Sequence, residues 1–204
     1  MELKVFQIII LIFSAIVHEY MHGWTAHYLG DPTAKDAGRL TLNPIPHIDL
    51  YGSIVLPFIF ILFNSPFIFG WAKPVPFNPY NLLDQKYGSA KVALAGPMSN
   101  FVLALFFGLL IRFFSGYLMI ISPLIINFLY IIVFINLLLM VLNLLPIPPL
   151  DGSKVILPFL PYDWQTKLLQ LEQYGFILVL LFIFFGFSLI VPVINLLFRL
   201  IVVA

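Results

Sequence analysis

Five apolar stretches, at about 4–28, 53–72, 92–114, 117–145 and 175–198, divide the chain, and the polar or proline-rich segments between them hold most of its charges. Crossing a hydrocarbon core of about 30 Å takes roughly 20 helical residues, and a backbone in lipid must satisfy its own hydrogen bonds, so helix is predicted for each long stretch. Stretch 53–72 is the exception: it is short, carries Pro57 and Pro66 around Asn64 and Ser65, and reads as a broken or re-entrant element. The connections Gly30–Tyr51 and Gly70–Asn81 are rich in proline, which argues against regular helix. Val75 and Phe77 between prolines suit an extended or edge-strand conformation, one that could pair with a substrate strand. The predicted fold is an all-α polytopic membrane protein, a bundle of about four to six transmembrane helices with a re-entrant or extended segment near the functional site. One domain is expected over 1–204, with a core at 4–155 and a C-terminal helix at about 175–198.

Composition fits a lipid solvent: 62% of the 204 residues are hydrophobic and 9% charged, against roughly 25% charged in an average soluble domain, and mean hydropathy is +1.06. A net charge of +1 gives no reason to expect nucleic acid as a partner. With no cysteine, disulfides, thiolate catalysis and cysteine zinc sites are excluded, so a metal would use His, Asp or Glu. Met1 to Val17 resembles a signal peptide in its charged start and apolar run, but no small-residue cleavage site follows, and the segment is expected to stay in the mature protein.

Lys35 and Arg39 lie in the first connection, Lys73, Lys86 and Lys91 in the second, and Lys154 and Lys167 after residue 145. The positive-inside tendency places all three regions in the cytoplasm and the turn near 115–122 outside, so that 53–72 enters and leaves on one side. The expected location is the cytoplasmic membrane, with the site opening toward the cytoplasm.

His18-Glu19-Tyr20-Met21-His22 is an H-E-x-x-H pattern. On a helix its two histidines stand one turn apart on the same face, the spacing two tetrahedral zinc ligands need, while Glu19 sits about 100° round, able to reach a water at the metal without ligating. A glutamate in so apolar a helix costs a few kcal/mol unless it is functional or partnered. The plainer alternative is a set of polar residues snorkelling at a helix end. His27 falls outside the third-histidine spacing of longer zinc motifs, and it and His47 are expected to face the aqueous boundary.

A hydrolytic zinc site usually takes three protein ligands, so a carboxylate is sought. Asp31, Asp36, Asp49, Asp84 and Asp163 lie near turn formers, where Asp caps or turns the chain. Asp151 differs: it follows an apolar span within Asn143-Leu-Leu-Pro-Ile-Pro-Pro-Leu-Asp-Gly152, whose prolines break the helix and stiffen the chain.

His18-Glu-x-x-His22, Ala95-Gly-Pro-Met-Ser-Asn100 and Asn143 through Gly152 together resemble, in order, the three signatures of the site-2 protease family of intramembrane zinc metalloproteases, over about residues 8–155. The resemblance implies one Zn2+ held by His18, His22 and Asp151, Glu19 as the catalytic base, Asn143 positioning substrate or stabilising the oxyanion, and Asn100 near the centre. It also implies substrates that are transmembrane segments of other proteins. The PDZ or CBS domain that many members carry has no counterpart here, and residues from about 160 match none of the signatures. Two other classes compete, a metal-binding membrane transporter and an inactive protease-like scaffold; a transporter has no need of Glu19 beside the ligands.

Overall fold

The computed structural model describes residues 2–63 and 70–203, which form helices joined by short connections with no strand among them. Helix α1 runs Glu2–Tyr28, about 40 Å at 1.5 Å per residue. A single turn, α2 (Thr33–Asp36), a 3-10 turn at Ile45–His47 and a wide turn at Leu50–Val55 lead into α3 (Leu56–Leu62). Two long helices follow, α4 (Gly88–Ile121) and α5 (Pro123–Asn143). Beyond them come α6 (Asp151–Ile156), α7 (Tyr162–Leu171), α8 (Gly175–Leu181) and α9 (Phe187–Val202).

Four stretches among the described residues are long and apolar enough to cross a membrane: Leu3–Tyr28, Gly88–Ile121, Pro123–Asn143 and Tyr162–Val202. The chain is therefore an all-α polytopic bundle, as the apolar pattern predicts. α1 packs on α4 and α5, and α9 packs on the same pair. Ala104 and Ile111 of α4, Val133 and Leu137 of α5, and Ile194 of α9 form the centre of the larger apolar core.

Two boundaries differ from the apolar pattern. The third and fourth stretches separate at the far edge of the turn expected near 115–122: α4 continues to Ile121 and the break is the single residue Ser122. Gly116 leaves the helix intact, whereas Ser122, extended and accepting the Leu124 N–H on its hydroxyl, followed by Pro123 in the first turn, both stops one helix and starts the next. The C-terminal helical region begins at Tyr162, thirteen residues before the predicted start.

Segment 53–72 is not a spanning helix in its described part, since α3 covers only 7 residues. Asn64, Ser65 and Pro66, around which a break is predicted, lie outside the described residues. The two ends of the segment lie side by side: Trp71 N–H donates to Gly52 O (3.2 Å), Ser53 Oγ to Trp71 O (2.8 Å) and Lys73 N–H to His47 O (2.8 Å). From Gly70 to Asn78 the backbone has no regular secondary structure, so the edge strand expected around Val75 and Phe77 is not formed.

Arg39 ties the first connection to this ribbon by donating to Lys73 O (2.8 Å). Asp31, fully buried, secures its far end: the carboxylate accepts from the Asn78 backbone (2.6 Å), Asn81 Nδ2 (2.8 Å) and both the backbone and the hydroxyl of Thr33. Asp49 and Asp84 cap the turns that follow them, as their turn-forming neighbours predict. His47 departs from expectation. It is buried, not at the aqueous boundary, with its ring Nε2 on Thr41 O (2.8 Å).

Candidate metal centre

His18 and His22 project from one face of α1 toward α4, and the sequence allows the approach through Gly96. A Cβ built at Gly96 would collide with His22 Nε2 and His18 Nε2, so glycine is what lets the α4 backbone press against both imidazoles. Asp151 arrives from the other end of the chain. α5 ends at Asn143, the prolines carry the backbone away from helical geometry, and α6 starts at Asp151. Gly152 permits α6 to fold back, since a Cβ there would overlap the carbonyls of Leu144 and Leu145.

Three side-chain atoms converge. His18 Nε2 lies 3.0 Å from Asp151 Oδ2, His22 Nε2 lies 3.2 Å from the same oxygen, and the two Nε2 atoms are 3.0 Å apart. His18 and His22 are 6% and 8% exposed. Both Nδ1 atoms face acceptors, His18 toward Asn100 Oδ1 (2.7 Å) and His22 toward the Val92 carbonyl (2.7 Å). The network thereby assigns the ring proton of each neutral histidine to Nδ1. Two imidazole nitrogens and a carboxylate oxygen face one small volume, an arrangement that a bound metal ion would satisfy. A tetrahedral zinc site with bonds of 2.0–2.1 Å has ligand-to-ligand edges of about 3.3 Å, so the triangle matches a zinc donor set in both size and chemistry.

Glu19 stands beside the triangle, with ligand atoms of His18, Glu19 and His22 all within 4.8 Å of one another. Its Oε2 accepts the Val75 backbone N–H at 2.8 Å. A cavity of about 520 Å³ opens here, lined by Glu19, His22, Asn143 and Asp151 with Trp71 and Phe176 among its apolar walls. Asn143 faces this cavity, and its Nδ2 donates to Leu139 O (3.0 Å), the end of its own helix.

The remaining candidates divide between the surface and the centre. Asp36 and Asp163 are exposed and His27 is half-buried. Asn100 is fully buried and bonded to His18. Asn136, also buried, escapes a motif-based reading although it bonds to Asn100 at 3.0 Å; an uncharged amide inside an almost wholly apolar helix is the signal that marks it.

Comparison with known proteins gives relatives of one kind. The chain is 40% identical over 184 residues to the protein named "Putative zinc metalloprotease YwhC" of Bacillus subtilis, covering 88% of this chain and 80% of that one. Proteins named "Putative zinc metalloprotease Rip2" are 33% identical over 175 residues in Mycolicibacterium smegmatis and 31% over 167 residues in Mycobacterium tuberculosis. The chain spans 61% and 62% of the lengths of those two. No family model matches the chain, and no solved structure matches it.

Proposed function

The chain belongs to the zinc metalloprotease family of YwhC and Rip2, and on that premise we propose that it is a site-2-type intramembrane endopeptidase, cutting peptide bonds within or near transmembrane segments of other proteins. The observation that carries this reading is the convergence of His18 Nε2, His22 Nε2 and Asp151 Oδ2 at 3.0–3.2 Å beside the carboxylate of Glu19. These three side chains would hold one zinc ion. Zinc, when bound, would polarise the scissile carbonyl and lower the pKa of a bound water to about 7.

The protein's own groups supply the rest. With Oε2 on Val75 N–H, Glu19 keeps its other oxygen for the attacking water, takes the proton, and later delivers it to the leaving amine. Asn143 Nδ2 carries two hydrogens, and one is used on Leu139 O. The second is available to the carbonyl oxygen as negative charge develops there. A helical substrate hides its amides, so it must unwind before attack, and the non-helical segment 70–78 beside Glu19 is where an unwound substrate could pair. The positive-inside pattern of the connections favours a cavity reached from the cytoplasmic side of the cell membrane.

The test uses purified wild type and Glu19→Gln in detergent or vesicles, with zinc content and cleavage of a transmembrane peptide both measured. Retained zinc with lost cleavage in the variant supports the protease. Equal cleavage in both would overturn it, and zinc transport across vesicles without cleavage would favour a carrier.

A further inference from the structure

His22 has a backbone carbonyl as its Nδ1 acceptor, fixed by the α4 helix itself. His18 has only a side-chain amide, Asn100 Oδ1, and an amide can turn over. A turned Asn100 would offer N–H to His18 Nδ1, draw the ring proton to Nε2 and remove the lone pair that faces Asp151 and His22.

Two acceptors oppose that rotation. Asn100 Nδ2 donates to Ser14 O (3.2 Å) and to Asn136 Oδ1 (3.0 Å), and Asn136 is itself oriented by donating from Nδ2 to Ile132 O (2.9 Å). Asn100 and Asn136 are 0% and 1% exposed, so no water competes at either amide. The chain Ile132 O, Asn136, Asn100, His18 therefore has one direction, set at a backbone carbonyl of α5 and delivered to an imidazole of α1.

We infer that Asn136 is a positioning residue for the metal centre: through Asn100 it commits His18 to the tautomer whose Nε2 can ligate. The inference rests on the reading that His18 holds zinc. Without Asn136 Oδ1, one N–H of Asn100 is left unpaired in a dry interior and Ser14 O alone resists rotation. Loss of a partner behind a metal-bound histidine typically costs 10–100-fold in metal affinity, and His22, with its backbone acceptor, should be untouched.

The test is made on the full chain in detergent with 15N-labelled histidine. Zinc affinity is measured by chelator competition for wild type, Asn136→Leu, Asn136→Asp, and Asn136→Leu combined with Asn100→Asp. Asn136→Leu should bind zinc about 10–100-fold more weakly, with the apo spectrum showing the His18 proton moved toward Nε2 and His22 unchanged. Asn136→Asp keeps an acceptor and should stay near wild type. Asn100→Asp presents only oxygens to His18, cannot offer an N–H, and should restore affinity in the double variant, whereas a packing defect would add to the first. Unchanged affinity and tautomer in Asn136→Leu, both histidines shifting together, or no recovery in the double variant would each overturn the inference. A wild type that binds no zinc while its His18 tautomer still follows Asn136 would instead overturn the proposed function and leave the relay standing.

Discussion

The backbone N–H of Val75 donates to Glu19 Oε2 at 2.8 Å across 56 positions of sequence. Val75 stands between Pro74 and Pro76, neither of which has an N–H, so it is the sole backbone donor of that three-residue stretch. Its side chain is buried, and a Cβ built at Gly23 of α1 would meet Val75 Cγ1 at 2.8 Å. The ribbon is thus fitted to α1 both by packing and by the carboxylate.

Removing that donor should disorient Glu19 without disturbing the ligands. In Val75→Pro, kcat should fall about 10–100-fold, the equivalent of one hydrogen bond to a charged group at roughly 1.5–3 kcal/mol, with zinc content unchanged. Val75→Ala keeps the N–H and should lose far less. Single-turnover cleavage with parallel zinc determination reads the difference, and equal losses in the two variants would assign the effect to the side chain.

Gly96→Ala adds one methyl group where both Nε2 atoms already crowd. Alanine favours helix over glycine by about 0.8–1.0 kcal/mol, so α4 should not unravel. Zinc stoichiometry by atomic absorption should drop to background while far-ultraviolet circular dichroism stays helical.

Asp151→Ala should release zinc and abolish cleavage, whereas the same change at the exposed Asp36 or Asp163 should spare both. Full zinc occupancy in Asp151→Ala would reassign the third ligand.

Asn143→Ala distinguishes catalysis from helix termination. An oxyanion donor predicts a fall of about 10²–10³ in kcat with zinc and Tm retained. If its main task is the bond to Leu139 O, Tm falls and the loss of activity tracks it.

Asp31 predicts an acid limit to stability. Burial pushes its carboxyl up, but hydrogen bonds from the Thr33 and Asn81 side chains and the Asn78 and Thr33 amides outweigh this and hold it below the usual carboxylate range. A folded pKa below the unfolded one means the folded state binds fewer protons, so the contribution is present above the unfolded value of about 3.9 and disappears as pH falls through the folded value. Tm of wild type should exceed that of Asp31→Asn at pH 7, and the gap should close below about pH 4. A gap independent of pH would show that the charge is not what stabilises the ribbon.

How much could be read from the residues alone varies with the range of the interaction. Helices α4 and α5 follow from continuous apolar runs because the bilayer imposes helix, and His18, Glu19 and His22 follow from spacing within a single element. Asp151 stands apart from the other aspartates by following an apolar span through prolines, but its joining the two histidines, 133 and 129 positions away, rests on the family likeness. The Val75 to Glu19 bond uses a main-chain group, which has no letter of its own in the sequence. Asn136 is visible as a polar residue in an apolar helix, yet its partner Asn100 lies on another helix, 36 positions away. His47 was misjudged for the converse reason: a polar side chain in a polar loop can still be buried, here with its ring on the Thr41 carbonyl.

The staple that joins Gly52 and Ser53 to Trp71, and His47 to Lys73, also bears on what a change of chain length can disturb. Because Gly52 and Ser53 are fastened directly to Trp71, additions or deletions beyond residue 53 and before residue 70 need not move Val75 or the carboxylate it holds. A change of length in the segment would then leave Glu19 and its backbone donor in register.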